Sequence, residues 1–109
     1  MQKDDYFVIV YRILTYLYTC LKADEDVDKD VLSPSGLGIR PKYWAYIMEN
    51  LQEDKYIKGI RVLKNAAGTR IDNIKITPQG ITYLIENQSI QKAKKFLETE
   101  QYATVIPCI

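Results

Sequence analysis

The hydrophobic and polar positions between Pro41 and Ile76 predict a helix followed directly by a β-hairpin. Apolar residues recur first at intervals of three and four, the spacing of one helical face: Trp44, Ile47, Met48 and Leu51. From Tyr56 the interval changes to about two, as in a strand, and a polar turn at 64–69 separates it from a second strand. A helix that leads at once into a hairpin is typical of a winged helix, in which a recognition helix precedes a wing.

Upstream of Pro41, the sequence has the signals of a short helix and a tight turn. Ser33 is a favourable N-cap residue, and Pro34 follows at the first helical position, where its missing N–H has no cost. Gly38 is placed to end this helix in the left-handed conformation. A short helix, a glycine-containing turn and a longer helix together predict a helix-turn-helix.

The first helix is predicted to be apolar almost all the way round. It begins at Asp4 or Asp5, either of which can serve as N-cap, and runs to about Lys22. A short strand at 7–9 is the weaker alternative. A helix of this character is either central in its domain or half covered by a second subunit. In a chain of 109 residues the central position is favoured, and a homodimer through this helix is the alternative.

Two further helices are predicted after the hairpin. Thr77 and Pro78 repeat the cap-and-proline start of a helix, and this one extends to about Glu86. Ser89 is expected to cap the last helix, which is predicted to run through Leu97.

These elements together predict an α+β fold, a winged helix-turn-helix that is mostly helical with a small antiparallel β-hairpin wing. We expect a winged-helix domain over residues 1–88, and a C-terminal helix and tail over 89–109 that pack on the same domain or extend from it. The apolar run 7–21 is interrupted by Arg12 and is shorter than the roughly 20 residues that a bilayer requires. No membrane span is therefore predicted.

Charge is distributed unevenly, although the net charge is only +1. An acidic block precedes the helix-turn-helix and consists of Asp24, Glu25, Asp26, Asp28 and Asp30, with Lys29 among them. The hairpin region is basic and contains Lys55, Lys58, Arg61, Lys64, Arg70 and Lys75, with Asp72 as its acidic residue. Both regions are explained by solvated surface, but the second also suits a wing that contacts nucleic-acid phosphate.

The predicted recognition helix is itself poorly suited to DNA. Its outward residues are expected to be Lys42, Ala45, Tyr46, Glu49, Gln52 and Glu53. Lys42 is the basic residue of this set, Arg40 precedes it, and the two glutamates would repel phosphates. The wing therefore supplies the stronger candidates for phosphate contact. The candidate nucleic-acid-binding residues are Arg40, Lys42, Arg61, Lys64 and Arg70.

The sequence gives no indication of catalysis. It contains no histidine, the commonest general base. The acidic block lacks the glycine and terminal glutamate of an EF-hand, so neither a metal nor a cofactor is expected. Cys20 and Cys108 form no metal or redox motif and are expected to be free thiols in a reducing cytoplasm, with a Cys20–Cys108 disulfide between the first helix and the tail as the alternative. We therefore expect a cytoplasmic protein that is not an enzyme.

Three segments of the chain carry a resemblance to a known family. They are Lys3-Asp4-Asp5-Tyr6, Leu37-Gly38-Ile39 leading to Tyr43-Trp44, and Ile76-Thr77-Pro78-Gln79-Gly80-Ile81 followed by Tyr83-Leu84. In these segments the chain resembles the YjcQ-like proteins, small winged-helix proteins of Gram-positive bacteria and their phages or prophages. The resemblance implies a winged-helix fold and no catalytic residues, and two roles have been suggested for the family: regulatory DNA binding and a phage structural role.

Two functions are therefore expected. The first is winged-helix DNA binding, as a small transcriptional regulator of prophage or mobile-element genes, with double-stranded DNA as partner. The alternative is a non-enzymatic protein-interaction module, such as a phage accessory or structural protein. Its partner would be another protein or a second copy, bound through the first helix or the apolar C-terminal tail.

Overall fold

A computed structural model describes residues 1–63 and 68–99 of the chain. Its elements follow in the order α1 (Tyr6–Ala23), α2 (Pro34–Leu37), α3 (Pro41–Glu53), β1 (Ile57–Leu63), β2 (Gly68–Ile76), α4 (Pro78–Glu86) and α5 (Gln88–Thr99). The two strands pair as an antiparallel hairpin. The α+β class, mostly helical with one small hairpin, is therefore confirmed, and the order of elements is that of a winged-helix-like architecture.

Helix α1 is the central element of the fold. Residues on several of its sides are fully buried: Val8, Ile9, Val10, Ile13 and Leu14. They are covered because α1 packs against α4, α5 and β2. The predicted central position is confirmed, and the alternative strand at 7–9 is wrong. None of the helices in the described part of the chain has the length and apolar character that a membrane span requires.

The guanidinium of Arg12 lies partly buried among these apolar side chains. Its Nη1 donates a hydrogen bond of 3.1 Å to the backbone oxygen of Leu37, at the C-terminal end of α2. Carbonyls in the last turn of a helix lack intrahelical partners, so a cation there is stabilised both as donor and as charge. Burial lowers the pKa of Arg12 below its ordinary value.

The apolar face of α3 packs as its spacing predicts. Trp44, Ile47 and Leu51 are buried in the same cluster as side chains of α1 and α4. The indole Nε1 of Trp44 donates a hydrogen bond of 2.7 Å to the backbone oxygen of Leu32. The ring is therefore fixed both by burial and by one directional contact.

The starts of α2 and α4 are capped as predicted. The hydroxyl of Ser33 accepts a 3.0 Å hydrogen bond from the backbone N–H of Gly36, and Thr77 caps α4 in the same way. Gly38 ends α2 with φ of 73°, in the left-handed region. Each of these signals is local in sequence, and each acts within one helical turn.

Two capping predictions need correction. Asp5 occupies the N-cap position of α1, but its carboxylate accepts from the backbone N–H of Gln2, 2.9 Å away, and caps no helical N–H. The last helix is capped by Asn87 rather than Ser89, because Asn87 Oδ1 accepts from the N–H of Ile90 at 3.1 Å. Asn87 both ends α4 in extended backbone and starts α5, which continues to Thr99.

Candidate nucleic-acid interface

The wing carries exposed cations on its outer face. Its apolar residues Ile60, Ile74 and Ile76 are buried, whereas the cationic residues Lys58, Arg61, Arg70 and Lys75 are exposed. The strand register pairs Lys58 with Lys75 and Arg61 with Arg70. Like charges directly opposite each other destabilise an antiparallel pair. This charge distribution is therefore not explained by the stability of the hairpin.

An irregularity in the strands determines which residues face outward. The register shifts between Lys58 and Ile60, where Gly59 has φ of +94°. A Cβ at Gly59 would lie 2.1 Å from the backbone oxygen of Asn73, so glycine is required by both backbone angle and space.

The consequence of this irregularity appears in β2. Arg70 and Asp72 are an even number of residues from the buried Ile74 and Ile76. In a regular strand, where side chains alternate between the two faces, all four would therefore face the core. In the structure, Asp72 and Asn73 are both exposed in succession, which moves Arg70 to the outer face. The bulge thus converts an inward arginine into a surface cation.

Asp72 offsets part of the wing's charge. Its carboxylate forms an ion pair of 3.2 Å with Arg61, and both side chains are more than half exposed. An exposed pair of this kind contributes little to stability. Arg70 has no ion-pair partner among residues 1–63 and 68–99. Lys64, also predicted as a contact residue, lies outside the described residues.

Helix α3 is tied to the wing by two polar side chains. Glu49 Oε2 accepts a hydrogen bond of 2.6 Å from the hydroxyl of Thr69 on β2. The amide of Gln52 contacts both backbone groups of Ile60: Nε2 donates to its oxygen at 2.9 Å, and Oε1 accepts from its N–H at 2.7 Å. The expectation that Glu49 and Gln52 face outward is therefore wrong, because both are half-buried and hydrogen-bonded to the wing.

The predicted cations fall into two groups. Arg40 is the N-cap residue of α3 and Lys42 lies in its first turn, and both are exposed. Lys42 is about 10 Å along the helix axis from Glu49, where α3 contacts the wing. The structure thus brings Arg61 and Arg70 together but leaves Arg40 and Lys42 at the opposite end of α3.

A groove separates the base of the wing from the acidic block. It has a volume of about 430 Å³ and lies against the C-terminal half of α1. Lys58 and Lys75 line it on one side, and Glu25 and Asp26 line it on the other. The two lysines at the base thus face carboxylates across the groove, whereas Arg61 and Arg70 lie farther along the wing and do not line it. The paired arginines are thus the strongest candidate contact residues.

Comparison with known proteins places the chain in a family. A family model described as YjcQ protein matches residues 11–99, which include most of α1 and all the later elements. No curated protein and no solved structure gave a match. The family suggested by the sequence motifs is confirmed over most of the chain, which therefore belongs to the YjcQ protein family.

Proposed function

We propose that this protein is a cytoplasmic winged-helix DNA-binding protein, a small regulator of prophage or mobile-element genes, and that the outer face of its wing contacts phosphate. The observation that supports this most strongly is the cross-strand pairing of Arg61 with Arg70. An anion placed between two guanidinium groups relieves the repulsion between them. Asp72 supplies one carboxylate to Arg61, and a phosphate would supply the anionic partner for Arg70.

Arginine is the side chain best suited to this role. Its planar fork of donors matches a phosphate in a bidentate arrangement and stays charged at any physiological pH. Such contacts position a protein on the duplex without reading its sequence. The hydrogen bonds from Glu49 and Gln52 to the wing fix the position of the wing arginines relative to α3. The helix and the wing would therefore approach DNA as one unit.

We also propose that the protein has no catalytic activity. Its acidic block, Asp24, Glu25, Asp26, Asp28 and Asp30, is exposed to solvent. Catalytic carboxylates more often lie in a cleft that shields them from water. The chain also lacks histidine, the side chain most often used as a general base.

A non-enzymatic interaction module that binds no nucleic acid is the second candidate function. It is favoured by the solvent face of α3, where Tyr46 and Glu53 are exposed and Lys42 is the single cation. Carboxylates on this face would repel the DNA backbone if the helix entered a groove.

Binding of a mixed-sequence duplex at low salt discriminates between the two functions. The parent chain is expected to bind, and the double variant Arg61→Ala/Arg70→Ala is expected to bind markedly more weakly. Lys92→Ala/Lys95→Ala is a matched control, because it removes two exposed cations from α5 and so has the same net charge as the arginine double variant. The control should bind like the parent.

Two results would contradict the proposal. If the parent binds no duplex at low salt, the interaction module is supported instead. If both double variants lose equal affinity, binding depends on net charge and not on the wing.

A further inference from the structure

Asp72 is an acidic side chain on the outer face of the wing, beside the proposed phosphate contact. Its Oδ2 lies 3.2 Å from Nη2 of Arg61, and Arg70 is the cross-strand partner of Arg61. Position 72 would face the core in a regular strand, so the bulge that moves Arg70 outward exposes Asp72 as well. The same irregularity therefore places an anion beside the two cations.

The contact between Arg61 and Asp72 is weak for an ion pair. It joins one nitrogen to one oxygen at 3.2 Å, which is longer than the roughly 2.7–2.9 Å of a typical charge-assisted hydrogen bond. The two side chains are 65 % and 60 % exposed, so water screens their attraction. A phosphate, in contrast, accepts two parallel hydrogen bonds from the fork of an arginine. A phosphate at this position is thus a stronger partner for Arg61 than the carboxylate is.

Asp72 has two other cations in its surroundings when Arg61 is engaged by a ligand. It lines the groove at the base of the wing together with Lys58 and Lys75. Neither lysine has an ion-pair partner among residues 1–63 and 68–99. The carboxylate can therefore turn from the arginine towards the groove and remain beside a positive charge.

We propose that Asp72 is an internal competitor of DNA phosphate: it occupies Arg61 in the free protein, and a phosphate displaces it when the duplex binds. This inference rests on the proposed function, because it assigns a role at the same contact surface. Asp72 thereby limits the affinity of the wing for DNA. The alternative role is structural, in which Asp72 only relieves the repulsion between the cations of the hairpin.

Binding of a mixed-sequence duplex to Asp72→Asn tests the competition. Asparagine retains the shape of the side chain and removes its charge. The variant should bind about two- to fivefold more tightly than the parent, because an exposed ion pair no longer has to be broken. Glu98→Gln is the matched control, since it makes the same change in net charge at an exposed position on α5, and it should bind like the parent.

A double-mutant cycle with Arg61→Ala separates competition from general repulsion of phosphate. Under competition, Asp72→Asn gains less affinity in the Arg61→Ala background, because Asp72 has no arginine there to occupy. Under general repulsion, the gain is as large or larger in that background, since Arg61 no longer neutralises the carboxylate. A gain of the second kind would overturn the proposal.

The remaining outcomes separate this inference from the proposed function. Tighter binding by Asp72→Asn, with a urea midpoint close to that of the parent, supports competition. Unchanged or weaker binding by Asp72→Asn overturns the competition alone, and the DNA contact still stands if Arg61→Ala/Arg70→Ala binds more weakly than the parent. A parent chain that binds no duplex overturns the proposed function and this inference together.

Discussion

The link between α3 and the wing can be tested at Gln52, whose amide is partly buried against β1. Each of its two hydrogen bonds to Ile60 is a neutral pair of ordinary length, 2.7 and 2.9 Å. Such a bond contributes about 1 kcal/mol, and a backbone group left without a partner costs more. Gln52→Met retains the length of the side chain but removes both bonds. The free energy of unfolding should therefore fall by about 2 kcal/mol.

Urea unfolding followed by circular dichroism measures this effect. With an m value of about 1 to 2 kcal/mol/M, the midpoint should fall by about 1 M or more without a change in m. Gln79→Met is the matched control, because Gln79 is exposed at the start of α4, and its effect should be within about 0.5 kcal/mol. Gln52→Glu retains the acceptor but loses the donor, so it should be intermediate or worse. A midpoint for Gln52→Met equal to that of the control would refute the link.

Three other changes test the core, the wing and the partly buried Tyr6. Trp44→Ala should lower the free energy of unfolding by about 3 to 5 kcal/mol, because the ring is 7 % exposed, and an unchanged melting temperature would contradict its burial. Gly59→Ala should destabilise more than Gly38→Ala, since both have positive φ but only the Cβ at Gly59 would meet backbone, at 2.1 Å from Asn73; equal midpoints in urea would contradict this. Burial raises the pKa of Tyr6 from 10.0 to about 12 in the folded protein, so folding favours the neutral phenol. The contribution of the neutral phenol to the free energy of unfolding is therefore complete below pH 10 and falls as the pH rises towards 12. Absorbance of the phenolate should show a late-titrating tyrosine that disappears in Tyr6→Phe.

The elements of the fold were predictable because their signals are local. Ser33 and Thr77 each sit one residue before a proline, and their hydroxyls cap helices within the same turn. The helical face of α3 likewise follows from spacing alone. One of the two corrected caps, Asn87 in place of Ser89, also has a local cause, since one residue ends a helix and starts the next.

The arrangement of the candidate site was less predictable. Alternation along the strand alone would place Arg70 on the same face as Ile74 and Ile76. Only the bulge opposite Gly59 moves it to the outer face. That bulge depends on a contact between two strands, which the spacing along one strand does not indicate. A glycine inside a predicted strand was the one available signal.

The roles of Glu49 and Gln52 were missed for a related reason. A helical repeat places both on the polar side of α3, where outward exposure is the simplest interpretation. Their partners, Thr69 and Ile60, belong to a hairpin whose position against the helix is set by tertiary packing. The sequence therefore predicted which residues are polar but not what they contact.

The salt dependence of duplex binding tests the central claim, that paired arginines on the wing contact DNA phosphate. Affinity for a mixed-sequence duplex is measured across a series of salt concentrations for the parent and for Arg61→Ala/Arg70→Ala. Each lost phosphate contact lowers the slope of log affinity against log salt by about 0.9, so the double variant should lose about 1.8. A duplex-binding parent whose slope is unchanged in the double variant would contradict the account.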